Sequence, residues 1–265
     1  NHTLSVPSAQ VKTSLIFAAL SSINKSIIKD PFKTRDHTER LITFLGYKKN
    51  YFNKFNIKGF NYVVPGDISS ASYLVAAALL VPNSNITIQN VLFNKTRSGY
   101  IDSLQKMGGR ISIKNKTILQ NETICDINIK YTEKLSAIKI TKNHIVTMID
   151  EIPIFALICA HATGISIIEG AEELRYKESD RIHAIVHNFK KLKINIKELN
   201  DGFSIKGPNT LYNTSISTFK DHRIALVGEI INIIKNKPLS NKSTTKALIK
   251  TSFPEFYDII GEINE

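Results

Sequence analysis

Apolar and polar positions follow one pattern that recurs three times along the chain. Each occurrence begins with a short polar segment that leads into an apolar run long enough for a helix, and a strand-like stretch follows. The three runs begin at positions 7, 65 and 149 and read PSAQVKTSLIFAAL, PGDISSASYLVAAALLV and IDEIPIFALICAHA. This recurrence predicts a fold assembled from one repeated supersecondary unit.

Each unit contains a second polar segment that opens an amphipathic helix. These segments read TRDHTERLITFLG, TRSGYIDSLQKMGG and KESDRIHAIVHNFKKL. Their spacing is regular, because 27 positions separate both Ser70 from Arg97 and Asp150 from Lys177. Alternating stretches such as GRISIKN and INIKELNDGFSIKG then indicate paired strands. The predicted unit is therefore β-α-β-α-β-β, and a partial fourth copy begins at TFKDHRIALVGEIINII.

Composition and charge narrow the class of protein. Of the 265 residues, 42% are hydrophobic and 22% charged, which is typical of a globular chain. The net charge is +12, but the lysines are dispersed among Ile and Asn without a basic arm or an RNA-binding string. We therefore predict a lysine-rich solvated surface and no nucleic-acid partner. The longest apolar run, 71–82, is shorter than the roughly 20 residues of a membrane helix, so no membrane association is expected.

The sequence gives little support for a metal site. Cys125 and Cys159 lie too far apart in sequence for a paired zinc motif. His183 and His187 are four positions apart on a predicted helix, but neither an HExxH glutamate nor a third ligand accompanies them. We therefore expect no zinc site at these residues.

The polar segments that open the helices have two interpretations. Ser, Thr and Asp before a helix cap its free N–H groups, which explains each segment structurally. Alternatively, several helix N-termini converge and bind anions. The string KESDR favours an anion, because Lys177 and Arg181 are predicted to share a face in the first helical turn, where two cations oppose the dipole. Glu178 beside Lys177 could form a proton-transfer pair with it.

Seven strings together resemble one enzyme family. They are PSAQVK at 7, TRDHTE at 34, PGDISSASY at 65, IDEIP at 149, EELRYKESDRI at 172, DHRIA at 221 and TSFPEF at 251. On these motifs the chain resembles the 5-enolpyruvylshikimate-3-phosphate synthase family. The resemblance implies an α/β (α+β) fold, a two-domain inside-out barrel with 1–63 as the remainder of an upper domain and 64–265 as the lower domain. It also implies that the N-terminal third of the usual chain is absent, because the family's early K-S-x-x-x-R segment does not occur here.

The resemblance implies an activity and roles for particular residues. The reaction transfers the enolpyruvyl group of phosphoenolpyruvate to the 5-hydroxyl of shikimate 3-phosphate and releases phosphate, without a metal or organic cofactor. Asp150 would take the hydroxyl proton, while Lys177 and Glu178 would serve proton transfer at the methylene carbon. Shikimate 3-phosphate would bind Ser8, the backbone of Ala9, Gln10, Arg35, Asp150 and Lys177. Phosphoenolpyruvate would bind Gln10, Arg181 and Arg223, since guanidinium groups grip carboxylate and phosphate bidentately.

Two other functions stay open from the sequence. The chain could be a catalytically incomplete fragment that acts only as an anion-binding or nucleic-acid-binding module. It could also be the sister transferase that acts on UDP-N-acetylglucosamine, which shares the repeat but lacks the KESDR and DHRIA strings. The complete enzyme is expected to be a cytoplasmic monomer, with a plastid location left open.

Overall fold

The computed structural model describes residues 1–264 and shows helices and strands in a repeating order. The first part contains β1 (His2–Thr3), α1 (Ala9–Ser21), β2 (Ile28–Lys29) and α2 (His37–Phe44). The second contains α3 (Ile68–Leu80), β3 (Asn85–Leu92), α4 (Gly99–Lys106), β4 (Ile111–Leu119) and β5 (Glu122–Lys130). The third contains β6 (Lys139–Ile140), α5 (Lys142–Ile145), α6 (Ile152–His161), β7 (Gly164–Ile168), α7 (Arg181–Lys191), β8 (Asn195–Leu199) and β9 (Gly202–Gly207), with short 3-10 helices at Ile149–Glu151 and Glu172–Tyr176. The chain then forms α8 (His222–Ile234), α9 (Ser243–Lys250) and α10 (Phe256–Asn264).

The second and third units connect their strands in the same way. In the third unit β6 runs parallel to β7, which pairs antiparallel with β9, and β8 pairs antiparallel with β9 on its other side. In the second unit a parallel bridge joins Gly66 to Val91 in β3, and β5 pairs antiparallel with both β3 and β4. The predicted β-α-β-α-β-β order is therefore confirmed in both units.

The helices α3, α6 and α8 pack against one another in the interior, and the sheets lie outside them. Nearly every side chain of α3 and α6 is buried, as expected for helices that are apolar on all sides. The strand β3, by contrast, is largely exposed or half-buried along its length. Apolar helices inside and amphipathic strands outside give the predicted inside-out arrangement.

The first unit departs from the predicted plan. Its strands β1 and β2 pair in parallel over only two residues each, and one antiparallel bridge joins Ser26 to Phe52. Within residues 45–65 of the described chain, no strand hairpin follows α2. Val63 and Val64 in this stretch are exposed although they are apolar. This unit therefore lacks the strand hairpin that completes the other two units. Two short strands do not form a stable sheet by themselves.

Two hydrophobic cores lie on either side of this stretch. Ile16, Leu20, Ile42 and Tyr47 form a small core in the first part of the chain. The main core extends from α3 to α10. The boundary between residues 63 and 64 stays a prediction, and the separation of the two cores supports it. Among the described residues, no helix has both the length and the apolarity that crossing a bilayer requires.

The turn between β8 and β9 generates a testable prediction. A Cβ atom added to Gly202 would lie 1.9 Å from the backbone oxygen of Ile168, so the β9 backbone would have to shift. We expect Gly202→Ala to lower the free energy of unfolding by about 2–3 kcal/mol. Gly261→Ala is the matched control, because its new Cβ meets no atom within 4 Å in the described chain and alanine favours the helix α10. Urea titration measures both, and an equal effect of the two substitutions would contradict the predicted clash with Ile168.

Candidate active site

One cleft of about 500 Å³ lies where the first part of the chain faces the third unit. All nine residues that the sequence singled out line it, namely Ser8, Ala9, Gln10, Arg35, Asp150, Lys177, Glu178, Arg181 and Arg223. They come from the start of α1, the segment before α2, and the segments that precede or open α6, α7 and α8. The fold therefore brings together residues that are up to 215 positions apart, while their individual roles stay predictions.

The start of α1 and the segment that carries Arg35 are held together beneath the cleft. Ser8 caps α1 by accepting a hydrogen bond from the backbone N–H of Val11 at 3.3 Å. One turn later, the buried ammonium group of Lys12 donates to the Thr34 carbonyl at 3.3 Å and contacts Asp30 at 3.1 Å. Because Thr34 directly precedes Arg35, these contacts orient the Arg35 backbone toward the cleft. Capping and anion binding are thus compatible at α1, whose dipole favours an anion at this end.

The carboxylate of Asp150 lies at the centre of the positive charges in the cleft. It forms an ion pair with Arg35, and it lies 3.7 Å from guanidinium nitrogens of both Arg181 and Arg223. Burial alone raises the pKa of Asp150, but the guanidinium groups of Arg223 and Arg35 outweigh it and hold this pKa well below its usual range. Asp150 is therefore ionised near neutral pH, and its affinity for a proton is low while these contacts last.

The predicted geometry of the KESDR string is partly wrong. The helix α7 begins at Arg181, and Asp180 caps it by accepting a hydrogen bond from the backbone N–H of His183 at 2.9 Å. Lys177 is extended and lies outside the helix, so Lys177 and Arg181 do not share a face in its first turn. The reason is that Asp180, directly before Arg181, takes the capping position, so the helix begins only after it.

Lys177 and Glu178 also do not pair with each other. The Lys177 ammonium binds Glu173 with a nitrogen–oxygen distance of 2.6 Å, and Glu178 binds the Arg181 guanidinium. Both side chains nevertheless face the cleft. A proton could therefore pass between them only through a bound ligand or after these contacts rearrange.

The negative charge beside Arg181 at the start of α7 comes from another side chain of the protein. Arg181 is 1% exposed, and its Nε donates to Asp221 Oδ2 at 2.9 Å. The wholly buried Asp221 also caps α8 by accepting from the backbone N–H of Arg223 at 2.8 Å. Burial raises the pKa of Asp221, but its bonds to Arg181 outweigh that effect and lower it. Asp221 thus joins the two helix starts that carry Arg181 and Arg223.

The structure adds cleft residues that the motifs did not indicate. Lys142 and Glu172 lie 3.4 Å apart at one side of the cleft, and Glu173 holds Lys177. Tyr176 is 85% exposed and forms part of the rim. Glu173 could have been found from its position four residues before Lys177, whereas no sequence signal marks Lys142. His183 and His187, by contrast, pack their rings edge-on against Phe219.

Comparison with known proteins identifies the family. The model for EPSP synthase (3-phosphoshikimate 1-carboxyvinyltransferase) matches residues 1–260. The chain belongs to the EPSP synthase family. A 3-phosphoshikimate 1-carboxyvinyltransferase from Endomicrobium trichonymphae is 40% identical over 273 residues, which cover 99% of this chain and 63% of the relative. The one from Aquifex aeolicus is 37% identical over 269 residues, which cover 97% of this chain and 62% of the relative.

Solved structures confirm the fold class. EPSP synthase from Acinetobacter baumannii matches with a TM-score of 0.86 and 30% identity, over 99% of this chain and 62% of that one. The enolpyruvyl transferase NikO from Streptomyces tendae shares the fold, with a TM-score of 0.67 and 15% identity, over 96% of this chain and 58% of that one. The predicted two-domain enolpyruvyl transferase fold is therefore confirmed, and the chain spans 61–63% of the length of the curated relatives it matches.

The buried pair of Asp221 and Arg181 generates a prediction about pH. Because the folded-state pKa of Asp221 lies below its reference value of 3.8, its stabilising contribution is present above pH 3.8 and is lost as the pH falls through the folded-state pKa. Asp221→Asn should lower the free energy of unfolding by about 3 kcal/mol near neutral pH, because Arg181 loses a buried partner. Well below pH 3.8 the gap between wild type and variant should shrink.

Denaturant titrations near neutral pH and well below pH 3.8 measure the difference in the free energy of unfolding between wild type and Asp221→Asn. Asp258→Asn, on the exposed face of α10, is the control and should stay close to wild type at both pH values. A gap for Asp221→Asn that is the same at both pH values would contradict the proposed pairing.

Proposed function

We propose that this chain provides most of a 3-phosphoshikimate 1-carboxyvinyltransferase. This activity forms a bond between the 5-hydroxyl oxygen of shikimate 3-phosphate and the enolpyruvyl carbon of phosphoenolpyruvate, and releases phosphate. The observation that carries the proposal is the cleft, where all nine family-matched residues meet. Three guanidinium groups around one carboxylate form a site for anionic ligands that also offer a hydroxyl to a base.

The contacts of Asp150 suggest how its basicity depends on substrate. In the structure Arg35 binds Asp150 directly, and Arg223 and Arg35 together keep the pKa of this carboxylate low. Arg35 is also one of the residues that we assign to shikimate 3-phosphate. Binding that draws Arg35 from Asp150 toward the substrate phosphate would raise the pKa of Asp150. The general base would then gain proton affinity only when its substrate is present.

The remaining roles follow the same assignment. Ser8, Ala9 and Gln10 at the start of α1 would hold shikimate 3-phosphate together with Arg35, Asp150 and Lys177. Gln10, Arg181 and Arg223 would hold phosphoenolpyruvate, and Lys177 and Glu178 would transfer the proton at its methylene carbon. No step in this scheme requires a metal or organic cofactor. We expect the complete enzyme to be a cytoplasmic monomer without a nucleic-acid partner.

The exposed apolar side chains of the first part support the view that more of the upper domain packs there. Phe17, Ile23, Phe60, Val63 and Val64 are each more than 45% exposed. The relatives contain a portion that this chain does not cover. We propose that this portion covers the apolar face of residues 1–63 and completes the short sheet of β1 and β2.

The direct test measures phosphate release from shikimate 3-phosphate and phosphoenolpyruvate. Two proteins are compared, namely the chain alone and the chain joined to the portion of the Aquifex aeolicus relative that it does not cover. We expect turnover by the joined protein and none by the chain alone. Replacing shikimate 3-phosphate by UDP-N-acetylglucosamine distinguishes the sister activity. The proposal is wrong if a folded joined protein releases no phosphate with shikimate 3-phosphate.

A second prediction concerns the two residues assigned to proton transfer. Lys177→Ala and Glu178→Ala in the joined protein should each lower kcat by about a hundredfold or more, because acid–base groups contribute on that scale. Lys190→Ala is the control, since Lys190 is exposed in the last turn of α7 and does not line the cleft. A decrease of less than about tenfold for both cleft variants would rule out a central role in proton transfer.

A further inference from the structure

Side chains of the second unit bind the start of α2 at a place outside the cleft. The contacts join Asp36, His37 and Arg40 in the first part of the chain to Asn94 and Glu122 in the second unit, and we call these five residues the α2 clasp. Within the described chain, none of the five lines the cleft. Asn94 and Glu122 are buried, with exposed fractions of 2% and 3%. Burial of an amide and a carboxylate is costly unless both are well bonded, so these two side chains depend on their partners in the clasp.

Asp36 binds the second unit instead of capping its own helix. It precedes α2 at the capping position, but among the described residues its side chain accepts no hydrogen bond from a backbone N–H of α2. Asp180 and Asp221 do cap α7 and α8 from the same position. The Asp36 carboxylate accepts instead from the Asn94 amide at 2.6 Å and lies 2.9 Å from Arg40 Nε. A side chain that usually satisfies a helix start is therefore used here to join two parts of the chain.

The second unit holds Asn94 in one orientation. The Asn94 side-chain oxygen accepts from both the backbone N–H and the hydroxyl of Thr96, each at 2.9 Å. These bonds direct the amide nitrogen toward Asp36, and the same nitrogen lies 3.4 Å from Glu122. Asn94 therefore presents its donor to the first part of the chain from a fixed turn.

Glu122 binds the first turn of α2 from the tip of the β4–β5 hairpin. It begins β5 directly after the turn at Gln120 and Asn121, where both residues have positive φ. Because a carboxylate oxygen only accepts, Nδ1 of His37 is the donor to Glu122, at 2.6 Å. Arg40, one turn further along α2, donates to the Asn121 carbonyl at 2.9 Å. The hairpin tip thus contacts α2 at two successive positions on one side of the helix.

Arg35 lies directly before the clasp and is therefore held on both sides. On its N-terminal side, the Thr34 carbonyl accepts from Lys12 within the first part of the chain. On its C-terminal side, Asp36 is bound to the second unit. The second and third units share one hydrophobic core, so a segment tied to the second unit keeps a defined place relative to Asp150. A rotation of the first part about the clasp would displace Arg35 little, because Arg35 is adjacent to these contacts.

We propose that Asn94 and Glu122 are positioning residues, which hold the start of α2 against the second unit and so place the Arg35 guanidinium beside Asp150. The second unit thereby sets the geometry of a cleft to which, among the described residues, it contributes no lining side chain. Hydrogen bonds are directional and fix which way the helix start faces, whereas apolar contacts would join the two parts without fixing that direction. The effect of the clasp on turnover rests on the function proposed above, whereas its effect on Arg35 does not.

The first experiment measures hydrogen exchange of the Arg35 Nε–H by NMR in the ligand-free chain. Glu122→Ala removes the carboxylate that binds α2, and we expect this exchange to become about threefold to tenfold faster, because Arg35 is then held less firmly beside Asp150. Asp126→Ala is the matched control. Asp126 is a carboxylate of the same strand β5, but it accepts from the backbone N–H of Asn90 at 3.0 Å, within the second unit.

A second variant keeps the test decisive if Glu122→Ala does not fold. His37→Ala breaks the same contact from the first part of the chain and leaves the second unit intact, and we expect the same acceleration of exchange at Arg35. Exchange is compared rather than chemical shift, because loss of the imidazole ring would change the shift by itself. The Nε–H of Arg175, which donates to a backbone carbonyl at 2.9 Å in the third unit, is an internal reference that no variant should change.

The outcomes separate positioning of Arg35 from a general loosening of the hairpin. The proposal is overturned if either folded clasp variant, Glu122→Ala or His37→Ala, exchanges at the wild-type rate. It is also overturned if Asp126→Ala accelerates exchange at Arg35 as much as Glu122→Ala does.

The final measurement determines both KM values in the joined protein. Glu122→Ala should raise KM for shikimate 3-phosphate about tenfold and leave KM for phosphoenolpyruvate near wild type, because Arg35 is assigned to the first substrate only, while Asp126→Ala should change neither. Equal rises in both KM values, or an equal loss of activity in the two variants, would indicate a merely structural role and overturn the proposal. If the wild-type joined protein releases no phosphate, the proposed function fails, and exchange at Arg35 still decides whether the clasp positions that residue.

Discussion

The carboxylate of Asp150 lies among guanidinium groups from three distant segments, and the rest of the cleft depends on this cluster. Arg35, Arg181 and Arg223 could not share so small a volume without a negative charge between them, because their mutual repulsion in a partly buried site would separate the segments. The buried carboxylate of Asp221 likewise offsets the positive charge of Arg181. Ion pairs between acidic and basic groups thus hold the helix starts together in the absence of ligand.

This electrostatic arrangement is possible only because the helices that present it are rigid. The helices α3 and α6 are almost wholly buried, and α8 packs against both, so the N-terminal ends of α6 and α8 cannot move independently. An apolar interior of this kind usually excludes charge. Here the charged groups of the cleft lie near the N-terminal ends of the helices. Backbone N–H groups at these ends have no partner within the helix, and caps such as Asp221 accept hydrogen bonds from them.

The two parts of the chain meet through polar contacts as well as through the cleft. The Asn94 amide donates to Asp36 at 2.6 Å, and His37 binds Glu122 at 2.6 Å on the side of the second unit. Such polar contacts are typical of domains that move relative to each other rather than of a fixed apolar interface. The Arg35–Asp150 pair crosses between the same two parts, so substrate that competes for Arg35 would also act on their relative position.

The repeated unit could be predicted from the sequence by local rules, since periodicity defines helices and strands and short motifs mark their ends. The set of residues that meet in the cleft came instead from the resemblance of seven motifs to a known family. Which charges pair became clear only in the folded chain. The sequence pattern predicted that Lys177 shares a helix face with Arg181 and pairs with Glu178. In the structure Asp180 caps the helix instead. Glu173 binds Lys177, and Asp221 binds Arg181. The buried contacts among Ser69, Arg97 and Glu151 could likewise not be predicted from the sequence, because Glu151 and Arg97 are 54 positions apart and meet only when the second and third units pack. Pairing between charges depends on distance through space and on burial, and neither quantity can be read from the order of residues along the chain.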